Sequence, residues 1–150
     1  MMQTTTDRQE RARWMSALTC SRDTSLLKSY LETVIELGLY RGEAALILMG
    51  VAENPAGYQV AWNFIRKNWE ETYALLKENR EISLSDVFGE ITSFFNTREE
   101  LQELLDFGES RRLGVLKYAY QASIAETKVN IRWMENSAQQ TNQWIESIIV

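Results

Sequence analysis

The stretch that decides the fold reads Gly42-Glu43-Ala44-Ala45-Leu46-Ile47-Leu48-Met49-Gly50-Val51-Ala52-Glu53, then Asn54-Pro55-Ala56-Gly57, then a segment carrying Ala61, Trp62, Ile65, Trp69 and Tyr73. Its first part is too apolar for a single buried stripe, which predicts a helix over about 42–53 that is buried on most sides. Pro55 disfavours a helical Asn54 and removes a backbone donor, so residues 54–57 form a turn. Beyond it, apolar residues recur three and four apart, predicting a further helix with its large rings along one side.

The same period continues outward in both directions. Upstream it predicts a helix over about 7–20. A second helix, N-capped by Asp23, buries Leu27, Tyr30, Leu31, Val34 and Ile35 and ends at Gly38. Downstream, Ser83-Leu84-Ser85-Asp86 offers capping chemistry for a helix reaching Phe95, and Thr97-x-x-Glu100 is a capping box opening a helix that ends near Gly108. A long helix over about 110–135 carries Leu113, Leu116, Tyr120, Ile124, Ile131 and Met134 on one stripe. Asn136-Ser137 breaks it, and Ser137-x-x-Gln140 starts a last helix bearing Trp144 and Ile148. One proline and seven glycines leave little else to interrupt the chain. The expectation is all-α: about eight helices in antiparallel hairpins, which fit a HEAT- or armadillo-like superhelical segment, with a compact bundle also open.

A chain of 150 residues buries roughly 70% of its unfolded surface, enough for one helical domain over 1–150, with residues 1–6 expected to be disordered. Sixteen basic and twenty-one acidic residues give a net charge of -5. That balance disfavours nucleic acid unless the cations segregate, and Arg8, Arg11 and Arg13 are spread around their helix and interrupted by Glu10. No apolar run approaches the ~20 residues that span a bilayer, so direct membrane insertion is not expected. The single cysteine, Cys20, follows Ala17-Leu18-Thr19 and is read as a buried, inert thiol.

The chain contains no histidine. H-E-x-x-H zinc binding, histidine-based acid–base catalysis and the Ser-His-Asp triad are thereby excluded from these residues. No phosphate-cradling glycine loop or calcium loop is present either. The carboxylate pairs Glu70-Glu71, Glu99-Glu100 and Asp106 with Glu109 fall on predicted helix surfaces or caps, where solvation and the helix dipole account for them. Trp62 and Trp69, seven residues apart, read as core packing rather than as a stacking platform. No catalytic, cofactor-binding or metal-ligating residue is assigned.

Residues 54–69, Asn-Pro-Ala-Gly-Tyr-Gln-Val-Ala-Trp-Asn-Phe-Ile-Arg-Lys-Asn-Trp, resemble the C-terminal domain of the aminopeptidase N family of zinc metallopeptidases. There, a turn ending in glycine precedes an Ala-Trp-x-Phe-x-x-x-Asn-Trp helix. Three other segments agree in order: Leu18-Thr19-Cys20-Ser21 with Leu26-Leu27 and Tyr30-Leu31; Phe95-Asn96-Thr97 with Leu101; and Asn130-Ile131-Arg132-Trp133-Met134 followed by Trp144-Ile145. The chain departs from the family where an Ile-Arg-x-Gln-Asp type sequence is usual: it reads Leu39-Tyr40-Arg41-Gly42-Glu43, so the arginine position is Tyr40 and the glutamine position Gly42.

The resemblance implies a parent enzyme that removes N-terminal amino acids from peptides, using one zinc held by two histidines and a glutamate and a second glutamate as base. None of those residues lies here. What it implies for this chain is a non-catalytic helical domain that caps the active-site chamber, partnered by the catalytic domain of the same polypeptide and by peptide substrate. In character the chain is similar to the endoplasmic-reticulum, insulin-regulated and cell-surface members. That implies a membrane-anchored or secretory-pathway parent, with a cytosolic one left open. The rival reading is a stand-alone helical module for protein or peptide binding.

Overall fold

The computed structural model describes residues 8–36, 41–77 and 79–148. Every regular element among them is helical: α1 Arg8–Thr19, α2 Thr24–Glu36, α3 Arg41–Glu53, α4 Tyr58–Lys67, α5 Trp69–Leu76, α6 Leu84–Ser93, α7 Arg98–Ser110, α8 Lys117–Trp133 and α9 Gln139–Ile148, with a 3-10 turn at Gly114–Leu116 and a π-helical turn at Met134–Ala138. The expected terminus of the second helix at Gly38, the departure at Leu39 and Tyr40, and residues 1–7 lie outside the described residues. So do the side chains of Arg8, Arg11 and Arg41. The chain divides into two compact units, Met1–Ile91 and Thr92–Val150.

In the first unit α3 packs against both α1 and α5, while α2 packs against α4. Helices two apart in sequence are thus neighbours, the relation that stacked hairpins produce. As its composition requires, α3 is buried on most of its surface: Ala44, Ala45, Ile47, Leu48, Val51 and Ala52 are all enclosed. Gly50 lets α1 approach it. A Cβ there would lie 2.6 Å from the Thr19 hydroxyl. Tyr30 ties α2 to the same helix by donating to the Met15 carbonyl at 3.2 Å. Burial, with Glu43 nearby, raises the pKa of the Tyr30 phenol.

Asn54 fastens the turn after α3 to the α1–α2 connection. Its side-chain amide donates to the carbonyls of Thr19 at 2.8 Å and Ser21 at 2.7 Å, while its own carbonyl oxygen accepts from the Ala56 N–H at 2.9 Å. Gly57 closes the turn tightly, since a Cβ would overlap the Val51 carbonyl. Asp23 caps α2 as the sequence predicts, accepting from the N–H groups of Ser25 and Leu26.

Several expectations need correction. The helix carrying Trp62 and Trp69 is two helices, because Asn68 leaves helical geometry at φ -117°, ψ 42°. Its side-chain amide donates to the Phe64 carbonyl at 3.0 Å, as does its own backbone N–H at 2.9 Å, a local alternative to the helical ladder. Both tryptophans are still buried: Trp62 meets Phe88 edge-on and Trp69 packs beside Tyr73. Cys20 is exposed, not buried. α1 turns Met15 and Thr19 inward, which leaves Ala17 and Leu18 on the outer side and carries the thiol past the helix end.

The second unit is built on α7 and α8. The Thr97 box forms in full, with the Thr97 hydroxyl accepting from the Glu100 N–H and the Glu100 carboxylate accepting from the Thr97 N–H. α8 starts later than predicted because Gly114, at φ 50°, bends the chain into the 3-10 turn. Its buried face runs through Ser123 and Thr127 to Ile131, while Ile124 is half-buried and Met134 is exposed. Ser123 is buried at little cost because its hydroxyl bonds that of Thr92 at 2.6 Å. Asn136-Ser137 does not break the helix. With neither glycine nor proline there, the backbone passes through one π turn into α9, and Ser137 supplies a carbonyl to the Thr141 hydroxyl instead of a cap.

Candidate functional site

A groove of about 590 Å³ lies between α2 and α4, wholly within the first unit. Ile35, Val60 and Phe64 give it an apolar floor. Lys28, Glu32 and Glu36 line it from α2 at four-residue spacing, so all three fall on one helix side. Asn63, Lys67 and Asn68 line it from the end of α4. Asn68, the residue at which α4 ends, is thus itself part of the groove lining.

Two ammonium groups, two carboxylates and two side-chain amides around an apolar floor can hold an extended polar chain. Lysine donates to carbonyl or carboxylate oxygens, and glutamate accepts from N–H or cationic groups. The site offers no imidazole or thiol. The sequence does not single these residues out, because charged residues at four-residue spacing read as a solvated face; the pairing of α2 with α4 makes them one site.

The residues weighed in the sequence lie elsewhere. Glu70 and Glu71 are exposed in the first turn of α5, and Asp106 and Glu109 are exposed on α7. Glu100 is buried, but in the cap of α7. Asp86 caps α6: its carboxylate accepts from the Ser83 hydroxyl at 2.7 Å and backbone N–H at 2.8 Å, which lowers its pKa. Arg66, beside the groove, lies over the Trp62 ring at 5.2 Å. No group of three or more Asp, Glu or Cys that could hold a metal occurs among the described residues. With no histidine in the chain, the donor set does not fit a catalytic zinc. No described helix is long and apolar enough to cross a membrane.

Comparison with known proteins supplies the context. The chain is similar to aminopeptidase Ey of Gallus gallus, 28% identical over 136 residues, covering 88% of this chain and 14% of that protein. It is 30% identical to aminopeptidase N of Bos taurus over 135 residues, covering 87% and 14% respectively. It is 32% identical to endoplasmic reticulum aminopeptidase 2 of Bos taurus over 129 residues, covering 81% and 13%. The chain thus spans only about a seventh of the length of these curated relatives. The sequence profile of the ERAP1-like C-terminal domain matches residues 1–132. The fold expected from the helical period and the resemblance carried by residues 54–69 meet in that match, and the chain belongs to the ERAP1-like C-terminal domain family.

Proposed function

We propose that this chain serves as the non-catalytic C-terminal domain of a zinc aminopeptidase, where it caps the active-site chamber and helps admit and position peptide substrates. In this reading, zinc and catalytic residues belong to polypeptide outside the chain, and the helix hairpins of the first unit are part of a HEAT-like stack. The observation that carries it is the family match over residues 1–132, joined to a groove whose mixed polar rim suits peptide backbone and termini. Binding energy collected there, remote from the reacting bond, can position a substrate whose N-terminus is cleaved elsewhere.

The test compares a full-length aminopeptidase carrying this segment with its K28A/K67A variant across peptides of increasing length. Both lysines are exposed, so the fold should persist. The expected result is a roughly tenfold loss of kcat/KM on long peptides, with single-residue reporter turnover unchanged; about 1.4 kcal/mol of positioning energy corresponds to that factor. An unchanged length dependence, both in this variant and after deletion of the segment, defeats the proposal.

A further inference from the structure

Two pairs of adjacent basic residues occur in the chain, Arg66-Lys67 and Arg111-Arg112. The first is held in α4, and helical backbone does not enter the cleft of an endoprotease, which takes its substrate extended. The second is differently placed. Residues 111–113 lie between the end of α7 and the 3-10 turn at Gly114–Leu116, and Arg111 is already extended at φ -135°, ψ 152°. Glu109, Ser110, Arg112, Gly114 and Val115 are all exposed, so the backbone is open on both sides of the pair. Helix ends fray, and Gly114 at φ 50° gives the following backbone further freedom, so this connection can straighten into a protease cleft. Arg111 rests over the Phe107 ring at 4.6 Å and donates to the Ser110 hydroxyl at 2.8 Å, contacts that a carboxylate in a protease subsite can replace.

We infer that Arg111-Arg112 is a processing site for an endoprotease that recognises paired basic residues, and that the cut loosens α8 without releasing it. Water adds across the Arg112–Leu113 peptide bond, leaving a carboxylate on Arg112 and an ammonium on Leu113. Both new charges have the wrong sign for their places. The carboxylate sits just past the C-terminal end of α7 and the ammonium at the start of the turn leading into α8, where the helix dipoles oppose them. α8 nevertheless stays docked. Leu116 and Ile131 are buried, the Ser123 hydroxyl bonds that of Thr92, and the Asn130 amide donates to the Phe95 carbonyl at 3.0 Å. What changes is that an intramolecular contact becomes an association of two pieces, whose strength falls with dilution.

The experiment incubates the 150-residue chain and its R111Q, R112Q, R112K and K67Q variants with an endoprotease specific for paired basic residues, followed by intact mass and N-terminal sequencing. The expected first products are 1–112 and 113–150, with a new N-terminus at Leu113. R111Q and R112Q should each be cut at least about tenfold more slowly, while R112K, which keeps the pair, and K67Q, which breaks the helical one, are cut like the wild type. The two pieces should co-elute on gel filtration with helical circular dichroism retained. Their melting temperature should lie at least about 5 °C below that of the intact chain and fall further on dilution. A wild-type chain that resists the protease, a first cut elsewhere, glutamine variants cut at the wild-type rate, pieces that separate on gel filtration, or a nicked chain that melts like the intact one each overturns the inference.

Discussion

The carboxamide of Asn54 uses both donors and its acceptor to join three pieces of backbone: the end of α1, the loop before α2 and its own turn. Alanine would leave the Thr19 and Ser21 carbonyls without that donor in a half-buried site. The expected cost is about 2–3 kcal/mol, read as a lower urea midpoint with an unchanged slope. Aspartate should be no better, since it would aim a carboxylate at two carbonyl oxygens. The sequence marks residues 54–57 as a turn because proline and glycine act locally, and the family resemblance rests on the same residues. What the amide reaches could not be read there: Thr19 is thirty-five residues away, and the contact exists only once α3 has packed on α1.

At the scale of single elements, legibility follows the range of the interaction. Asp23, Ser83 with Asp86, and Thr97 with Glu100 close their hydrogen bonds within a few residues, and each forms where the sequence places it. Thr97→Ala should therefore destabilise the chain by about 1 kcal/mol, with Thr97→Ser recovering most of that; thermal unfolding of the three proteins would show it. Asn68 and Asn136-Ser137 are harder, because both positions weigh a modest loss of helix propensity against continued packing. At Asn68 the side chain wins the Phe64 carbonyl and the helix ends. At Asn136-Ser137 the helix absorbs the defect as a π turn and continues. The same residue type, asparagine, gives opposite outcomes, and only the three-dimensional surroundings decide between them.

For the whole molecule, the all-helical class was legible because helical period pervades the chain, and the family because residues 54–69 combine turn and aromatic positions in one order. The groove was not: it pairs α2 with α4, and neither strip of polar residues announces the other. The lack of histidine also makes a prediction at this scale. Dialysis against zinc followed by metal analysis should leave well below one equivalent per chain, and a chelator should not shift the melting temperature. Retained stoichiometric zinc with a chelator-sensitive transition would contradict the assignment of zinc to polypeptide beyond this chain. Finally, the exposed position of Cys20 has a practical side. It is the only thiol in the sequence, so one maleimide-linked dye or spin label attaches at a single known point without engineering. That point adjoins the α1–α2 connection held by Asn54, so the probe's mobility would register loosening of this junction before the rest of the unit unfolds.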